Sequence, residues 1–555
     1  MIENQKESLS DETSSECVEI PYDVTLENVL RRCGDLGRYQ LIHYIFLNFI
    51  AAASGINAFY YVFGVAEPLF RCRLPSNMWA DDDRFESINS THQLLIDTCQ
   101  SPTSRCQLVN GSICTEFIYD RSVFGRTFTE DGQYICHNAI KRTWLSTVYQ
   151  IGPCFAIISG IVSDKIGRRK VIQVLTIAIF IIPVIIQLLL QVVPMSMNMK
   201  FTLMLFNQFI SSIDPFGIIF ILLMELASSS HRTLAGNSAL ISYTFGEIVI
   251  TLFAYITRNW LILKWLNSAY FALLMFYLYF VPESPYWLLS MKKFDRLEAC
   301  LRKIAKTNGR ADIEWFFYYE KLIQDHRVTI LIIKPSKKKR IASFAPKLCV
   351  CGLIGFVTML LYIKISYGLA LMNNTLSPHL SIVIGAIVEG IGYLSANFAM
   401  ITRLGRKYAL IVYALFTSGC VIVMPFIQDH HPIATIVVSQ LGKLAISGTV
   451  SVSWIYVPEL FPTSMRGFSN AVLIFFGRFG AILAPIIDAT LGNQYSKITF
   501  YVYAALTLVI IVLVLFLPET RNRLFEDMEE NSTTDPVTND NKENNHENPT
   551  KTDAQ

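Results

Sequence analysis

The sequence predicts an all-α membrane protein, with about twelve transmembrane helices in two pseudo-symmetric six-helix bundles. Three observations carry this prediction. The 555 residues are 52% hydrophobic and 16% charged, more apolar surface than one soluble core can hide, because such cores stop growing at roughly 250 to 300 residues. About twelve apolar runs reach the ~20 residues needed to cross a ~30 Å hydrocarbon layer. Three short signatures recur in both halves at an offset of roughly 236 residues, as in a duplicated bundle. Gly160-Ile-Val-Ser-Asp164-Lys-Ile-Gly167-Arg168-Arg169-Lys170 is echoed by Thr402-Arg403-Leu-Gly405-Arg406-Lys407, Pro282-Glu283-Ser284 by Pro518-Glu519-Thr520, and Glu225 with Arg232 by Glu459 with Arg466.

The elements follow in chain order. Residues 1–38 are polar and partly acidic, with no basic segment leading into a short apolar core and cleavage site, so no removable signal peptide is expected and the first span serves as the targeting signal. The N-terminal bundle, 39–281, holds spans Tyr39 to Phe63, Thr143 to Ser163, Val171 to Val193, Phe201 to Leu226, Ala235 to Thr257 and Leu261 to Val281. A linker, 282–346, separates it from the C-terminal bundle, 347–517, with spans Lys347 to Met372, Leu380 to Met400, Ala409 to Phe426, Ile433 to Tyr456, Ser469 to Asp488 and Ile498 to Leu517. The tail, 518–555, is rich in Asn, Asp, Thr and Glu beyond Asn531, too polar to pack, and is expected to be disordered. Lys165, Arg168, Arg169 and Lys170, then Lys337 to Arg340, then Arg403, Arg406 and Lys407 fill alternate loops, which the positive-inside rule makes cytoplasmic together with both termini.

The loop 65–142 is longer than any helix connection requires and must fold. It holds Cys72, Cys99, Cys106, Cys114 and Cys136, and clustering on the oxidising side favours a disulfide-stapled extracellular cap with one cysteine left over. Sequons begin at Asn89 and Asn110 in this loop and at Asn373 in the next outer one. The loop has no paired Cys-x-x-Cys or His spacing for zinc.

Twelve spans, the large Cys-containing outer loop, the Gly-x-x-x-Asp-Lys-x-Gly-Arg-Arg signature, Pro282-Glu-Ser-Pro285 and Val457-Pro-Glu-Leu-Phe-Pro-Thr463 together resemble the organic-ion transporter family of the major facilitator superfamily, whose members carry organic cations, organic anions and carnitine. The resemblance runs from about Asp23 to Arg521. It implies secondary-active or facilitative transport by alternating access, in the plasma membrane. The shared motifs then read as gating elements: Gly160 and Gly167 allow close helix approach, Asp164 caps a neighbouring helix or pairs with arginine, and Arg168, Arg169, Glu283, Arg403, Arg406 and Glu519 join the network. Glu225 with Arg232, and Glu459 with Arg466, are expected to latch the two halves. Thr402 occupies the acidic position of the second copy and Tyr286 the position of a family arginine, which weakens the C-terminal network.

Charges far from span ends cost roughly 2.5 to 3.5 kcal/mol each, so they mark a central polar cavity. The candidates for substrate binding are Arg478, Glu389, Lys443, Glu247 and Lys364, lined by Tyr149, Tyr367, Tyr393, Tyr243 and Phe476; Asp214 and Asp488 lie nearer the outer ends. Arg478 matches a position where family members handling cations carry Asp and those handling anions or carnitine carry Arg, and a guanidinium grips a carboxylate bidentately. Glu389 matches the family's acidic site in the eighth span, so an amine is also accommodated, and Tyr393 stands where several anion transporters have Lys. The expected substrate is an organic anion or a carnitine-like zwitterion, with an organic cation as the alternative. Asn207 replaces an arginine many relatives carry in the fourth span, which keeps a ligand-binding membrane sensor without turnover open as a second class. No filter segment of a channel, nucleotide loop, metal-ligand cluster or nucleophile motif appears, so neither an enzyme nor a cofactor is expected. The expected partners are a small organic ion, the bilayer and a second copy in a homo-oligomer formed through the extracellular loop, with no nucleic acid.

Overall fold

The computed structural model describes residues 25–75, 78–79, 82–101, 105–109, 111–228, 230–330, 337–372, 377–427, 431–461, 465–491 and 496–520. The sequons at Asn110 and Asn373, and the tail beyond Thr520, lie outside them. Among the described residues, twelve helices are long and apolar enough to cross a membrane: Arg38–Gly64, Cys136–Ile166, Arg168–Val192, Met197–Glu225, Arg232–Thr257, Trp260–Leu278, Phe344–Ile365, Pro378–Ile401, Gly405–Ile427, Ile433–Glu459, Arg466–Ala484 and Ile498–Leu515. These are the twelve expected spans, and the fold is that of a multi-pass membrane protein. Leu273, Phe276, Phe398 and Phe516 stay exposed, the outward apolar girdle of a bundle solvated by lipid.

Glycine sets how closely spans approach. A Cβ at Gly55 would sit 2.2 Å from the Tyr243 carbonyl oxygen and one at Gly246 2.1 Å from that of Ala52, so the first and fifth spans meet backbone to backbone. Gly355 and Gly480 do the same for the seventh and eleventh. One continuous core, including Leu47, Ile219, Phe220, Ile354, Tyr456 and Phe461, runs through both bundles.

Two caps sit on the ends. On the face carrying the basic loops, the short helix Leu26–Arg32 packs with Pro285–Ser290, Phe294–Thr307 and Asp312–Ile330 around Leu26, Leu30, Trp287, Leu301 and Trp315. Asn308 stitches this cap together. Its Nδ2 donates to the carbonyls of Cys33 and Gly34 at 3.1 and 3.0 Å, and its Oδ1 accepts from Tyr39 N at 2.9 Å. Burial pushes the Cys33 and Cys300 thiols up to about 12, so both stay protonated. Residues 26–32 of the N-terminal segment and the helices Pro285–Ser290, Phe294–Thr307 and Asp312–Ile330 of the linker thus fold together into a helical unit.

On the opposite face the long loop folds on a two-stranded antiparallel sheet, β1 (Phe70–Cys72) and β2 (Phe117–Tyr119), with helix Ser90–Cys99 beside it. Disulfides join Cys72 to Cys114 and Cys106 to Cys136, leaving Cys99 as the unpaired member of the five, its Sγ 3.6 Å from Met78 Sδ. The polar heart of the loop is Asp82, which accepts from Arg71 Nη1 at 2.7 Å, Arg71 Nη2 at 2.5 Å and Leu74 N at 2.8 Å, with His92 Nε2 at 3.1 Å. Burial alone would raise the Asp82 carboxyl, but the hydrogen bonds from Arg71 and Leu74 outweigh it and hold the group below the usual carboxylate range. Asn89 is exposed and caps its helix, Oδ1 accepting from His92 N at 2.8 Å.

Candidate functional site: a cavity between the bundles and the latch beneath it

Two spans break where they reach the centre. The fourth is helical to Ser212 and again from Phe216, and the interval Ile213, Asp214, Pro215 is irregular. Pro215 lacks the N–H that would continue the ladder, and Asp214 Oδ1 takes up the freed Phe216 N–H at 3.2 Å. In the second span Gly152–Phe155 tightens to a 3-10 turn around Pro153. Irregular backbone at membrane depth is tolerated where it is buried in protein or lines a cavity. Both breaks do so.

The cavity lies on the seam, with Tyr149, Gln150 and Asp214 on one wall and Tyr393, Lys443 and Arg478 among the residues of the other. Arg478 Nη1 donates to Gln150 Oε1 at 3.0 Å, and its charge interacts with that of Asp214 across the seam. Among the described residues no carboxylate oxygen lies within ion-pair distance of Arg478. Its fork therefore faces the cavity with donors to spare. Asp214, expected nearer an outer end, sits centrally, in the break between Met197–Ser212 and Phe216–Glu225.

Not every expected substrate residue reaches this space. Tyr149, Tyr243, Tyr393, Lys443 and Arg478 line it. Glu389 and Glu247 stand behind the wall, both fully buried. Glu389 Oε1 accepts from Tyr393 at 2.6 Å and Tyr362 at 2.9 Å, while its Oε2 pairs with Lys443 Nζ at 3.2 Å. Lys364 lies 5.1 Å over the Phe500 ring and Phe476 packs on Gly352, both away from the cavity. The side chains of Tyr367 and Asp488 lie outside the described residues. Asn207 is buried and donates to the Pro183 carbonyl at 3.4 Å, a packing role within the N-terminal bundle.

Below the cavity the basic face is shut. Trp454 packs edge-on against Phe216 and Phe220, and Ser451 donates to Asn237 Oδ1 at 2.5 Å, each pair crossing from one bundle to the other. Next comes the charged layer. Arg168 grips Glu225 with Nε at 3.1 Å and Nη2 at 3.2 Å, and lies 3.1 Å from Asp164. Asp164 Oδ2 in turn accepts from Phe468 N at 3.1 Å, capping the eleventh span of the other bundle. A Cβ at Gly160 would sit 2.8 Å from the Gly467 carbonyl oxygen and one at Gly467 would meet the Asp164 carboxylate, so the two glycines let the bundles approach closely here.

The arginine partners differ from those expected. Glu225 meets Arg168 of its own half and Arg466 of the other, 3.8 Å from Oε1, rather than Arg232. Glu459 pairs with Arg406 at 3.3 Å and interacts with Arg232 from the opposite half, rather than latching to Arg466. The repeat spacing matched each arginine to its own half, whereas the two-fold relation of the bundles carries it over the seam. Glu283 and Glu519 do the same job in each half. Glu283 Oε1 accepts from the backbone of Arg168 and Arg169 at 2.8 and 3.2 Å, and Glu519 from Arg406 and Lys407 at 3.0 Å each, a carboxylate at each helix N-terminus. Gly167 and Gly405, both at positive φ, leave room for these carboxylates. Thr402, in the acidic position, donates to Ala399 O at 2.7 Å and carries no charge across the seam. Arg169 donates to Tyr279 O at 2.9 Å, and Arg403 is exposed.

Two pseudo-symmetric six-helix bundles, a seam cavity and an inter-bundle charge lattice define a membrane transporter of the major facilitator fold. The chain belongs to the sugar (and other) transporter family, whose pattern matches residues 106–531. Its relatives bear out the resemblance to the organic-ion transporters of that superfamily. It is 24% identical to the organic cation transporter protein of Drosophila melanogaster, over 90% of this chain and 92% of the relative, and 26% identical to the human organic cation/carnitine transporter 2, over 88% and 90%. The proton:xylose symporter XylE bound to 6-bromo-6-deoxy-D-glucose shares the fold at a TM-score of 0.62 with 15% identity, covering 89% of this chain and 99% of XylE. The human organic anion transporter MFSD10 (TETRAN) shares it at 0.53 with 13% identity, covering 86% and 99%.

Proposed function

We propose that the chain moves a small organic zwitterion or anion across the membrane by alternating access, a carnitine-like trimethylammonium carboxylate fitting best. One observation carries this reading: Arg478 and Asp214 face the same cavity from opposite bundles, with the arginine fork open to it. Arg478 takes the carboxylate bidentately. Asp214 offers a counter-charge, and Tyr149, Tyr243 and Trp454, which line the same cavity, offer aromatic faces to a quaternary ammonium. Because the two charges sit on different bundles, a ligand spanning them pulls the halves together, which is the coupling that alternating access requires. The relatives handling organic cations and carnitine support the same substrate class.

The charge lattice between Asp164, Arg168, Glu225, Arg466, Arg406 and Glu459 then acts as the gate on the cytoplasmic side, with the disulfide-stapled loop and Asn89 outside and both termini inside, in the plasma membrane. The clustering of Lys and Arg in alternate loops on one face supports this orientation. Purified protein in liposomes tests the reading: labelled L-carnitine should accumulate by counterflow, with para-aminohippurate weaker and tetraethylammonium weakest. Preference for tetraethylammonium over both would make the chain an organic cation transporter; binding of carnitine with no flux would make it a sensor.

A further inference from the structure

Behind the cavity wall lies a charge imbalance that substrate binding does not use. Glu247 of the fifth span is fully buried, and neither of its carboxylate oxygens has a hydrogen-bond partner. It interacts electrostatically with Glu389 of the eighth span and Lys443 of the tenth. Lys443 is already committed to Glu389 at 3.2 Å, and Gly385 keeps the space its ammonium occupies, since a Cβ there would sit 2.9 Å from Nζ. The other titratable groups facing this cluster are the phenols of Tyr362, Tyr393 and Tyr243. The first span meets the fifth here through Ala52, Gly55 and Ile56 and adds none. Two carboxylates therefore share one ammonium inside the bilayer, and with all three ionised the cluster carries one uncompensated negative charge.

A bare carboxylate that deep, without a donor, is stable only if a cation neutralises it. Neither Glu247 nor Glu389 lines the cavity, so an organic cation cannot reach them, whereas Tyr362, Tyr393 and Lys443 touch both the cavity and the cluster. A sodium ion needs several oxygen ligands and would sit against the Lys443 ammonium; among the described residues no three metal-ligating side chains gather. The ion that fits is a proton.

We propose that Glu247, sharing Lys443 with Glu389, is a proton-binding site that couples proton movement to transport. One proton from water on one side bonds to a Glu247 carboxylate oxygen, bringing the cluster to zero charge, and leaves as the same O–H bond breaks toward the other side. Lys443 is the link. It lines the cavity, so a substrate carboxylate drawing its ammonium inward strips Glu389 of its partner and strengthens the cluster's demand for the proton. Anion and proton then favour each other's binding, as linkage requires, and travel together. The coupling step rests on the transporter reading above; the proton site does not.

The test separates the two. Full-length protein in nanodiscs, titrated by infrared difference spectroscopy, should show the carbonyl stretch of a buried protonated carboxylic acid near neutral pH. E247Q should lose the band. E389Q should lose it too, because Lys443 is then free to neutralise Glu247, and K443Q should about double it, both carboxylates now needing protons. In liposomes, an inward pH gradient of one unit should raise labelled L-carnitine accumulation by up to about tenfold in the wild type at one-to-one coupling, and not at all in E247Q. Absence of the band in the wild type, its persistence in E247Q, or a sodium-dependent stabilisation that E247Q abolishes overturns the proton site. A band without any effect of the gradient on uptake overturns the coupling. If L-carnitine does not enter at all, the transport reading falls while the three variants still decide the site.

Discussion

Arg478 stands midway along an apolar helix with one hydrogen bond to Gln150 and an open fork, and its value to a ligand follows from that exposure. A charge-assisted bond to a carboxylate contributes ~1.5 to 3 kcal/mol, or roughly ten- to a hundredfold in affinity. Arg478→Ala should therefore raise the half-saturation concentration of an anionic or zwitterionic substrate by that factor, and Arg478→Lys by less, since the charge remains but the fork is lost. Asp214→Asn should weaken a zwitterion while sparing a simple anion, a contrast measured by competition uptake. The charge of Arg478 was legible in the sequence because an arginine between Gly477 and Gly480 in an apolar run is costly unless it faces a polar space or a partner. Asp214 was placed nearer an outer end although it stands midway along the expected span Phe201 to Leu226, and Pro215 beside it was the available signal for a break there. In the loop 65–142, Asp82 is held below the usual range, so its stabilisation is complete above the unfolded value of about 3.9 and disappears as pH falls through the lower folded value. Amide exchange around Arg71 and His92 should stay protected at pH 5 and open only at stronger acidity, and Asp82→Asn should open it already at neutral pH.

At the scale of elements, the latch depends on which helix ends meet. Asp164 caps the eleventh span while Arg168 and Arg466 converge on Glu225, so one carboxylate removed unseats contacts in both bundles. Asp164→Asn should keep the shape, lose the charge, and lower maximal uptake more than affinity, because it alters the closed state rather than the cavity. Uptake at matched surface amounts checks this. Arg168→Ala leaves Glu225 buried without its bidentate partner and should destabilise the protein by about 3 to 5 kcal/mol, seen as a fall in thermal midpoint in detergent. Spans were readable from hydropathy and the latch residues from their repetition, since a duplicated charge at a helix end is hard to explain by insertion alone. Partner choice was not readable. Spacing along one chain says nothing about which arginine the second bundle swings over the seam, and the folding of residues 26–32 against the linker helices depends on long-range packing that no local pattern announces.

For the whole molecule, Trp454 and the charge lattice close the basic face beneath the cavity, and on the alternating-access reading proposed above this arrangement is one end of the cycle. The orientation predicts that an Asn89→Gln variant loses a glycosidase-sensitive mass shift and that a tag on the tail is reached only after permeabilisation. The central claim is that the seam cavity carries a carboxylate-bearing organic ion, held at Arg478, from one side to the other. Counterflow in liposomes tests it most directly: wild-type protein loaded with unlabelled L-carnitine should draw labelled L-carnitine inward, and Arg478→Ala, equally folded and equally reconstituted, should do so at about a tenth of the rate or less at subsaturating substrate. Equal counterflow by both proteins would contradict the account.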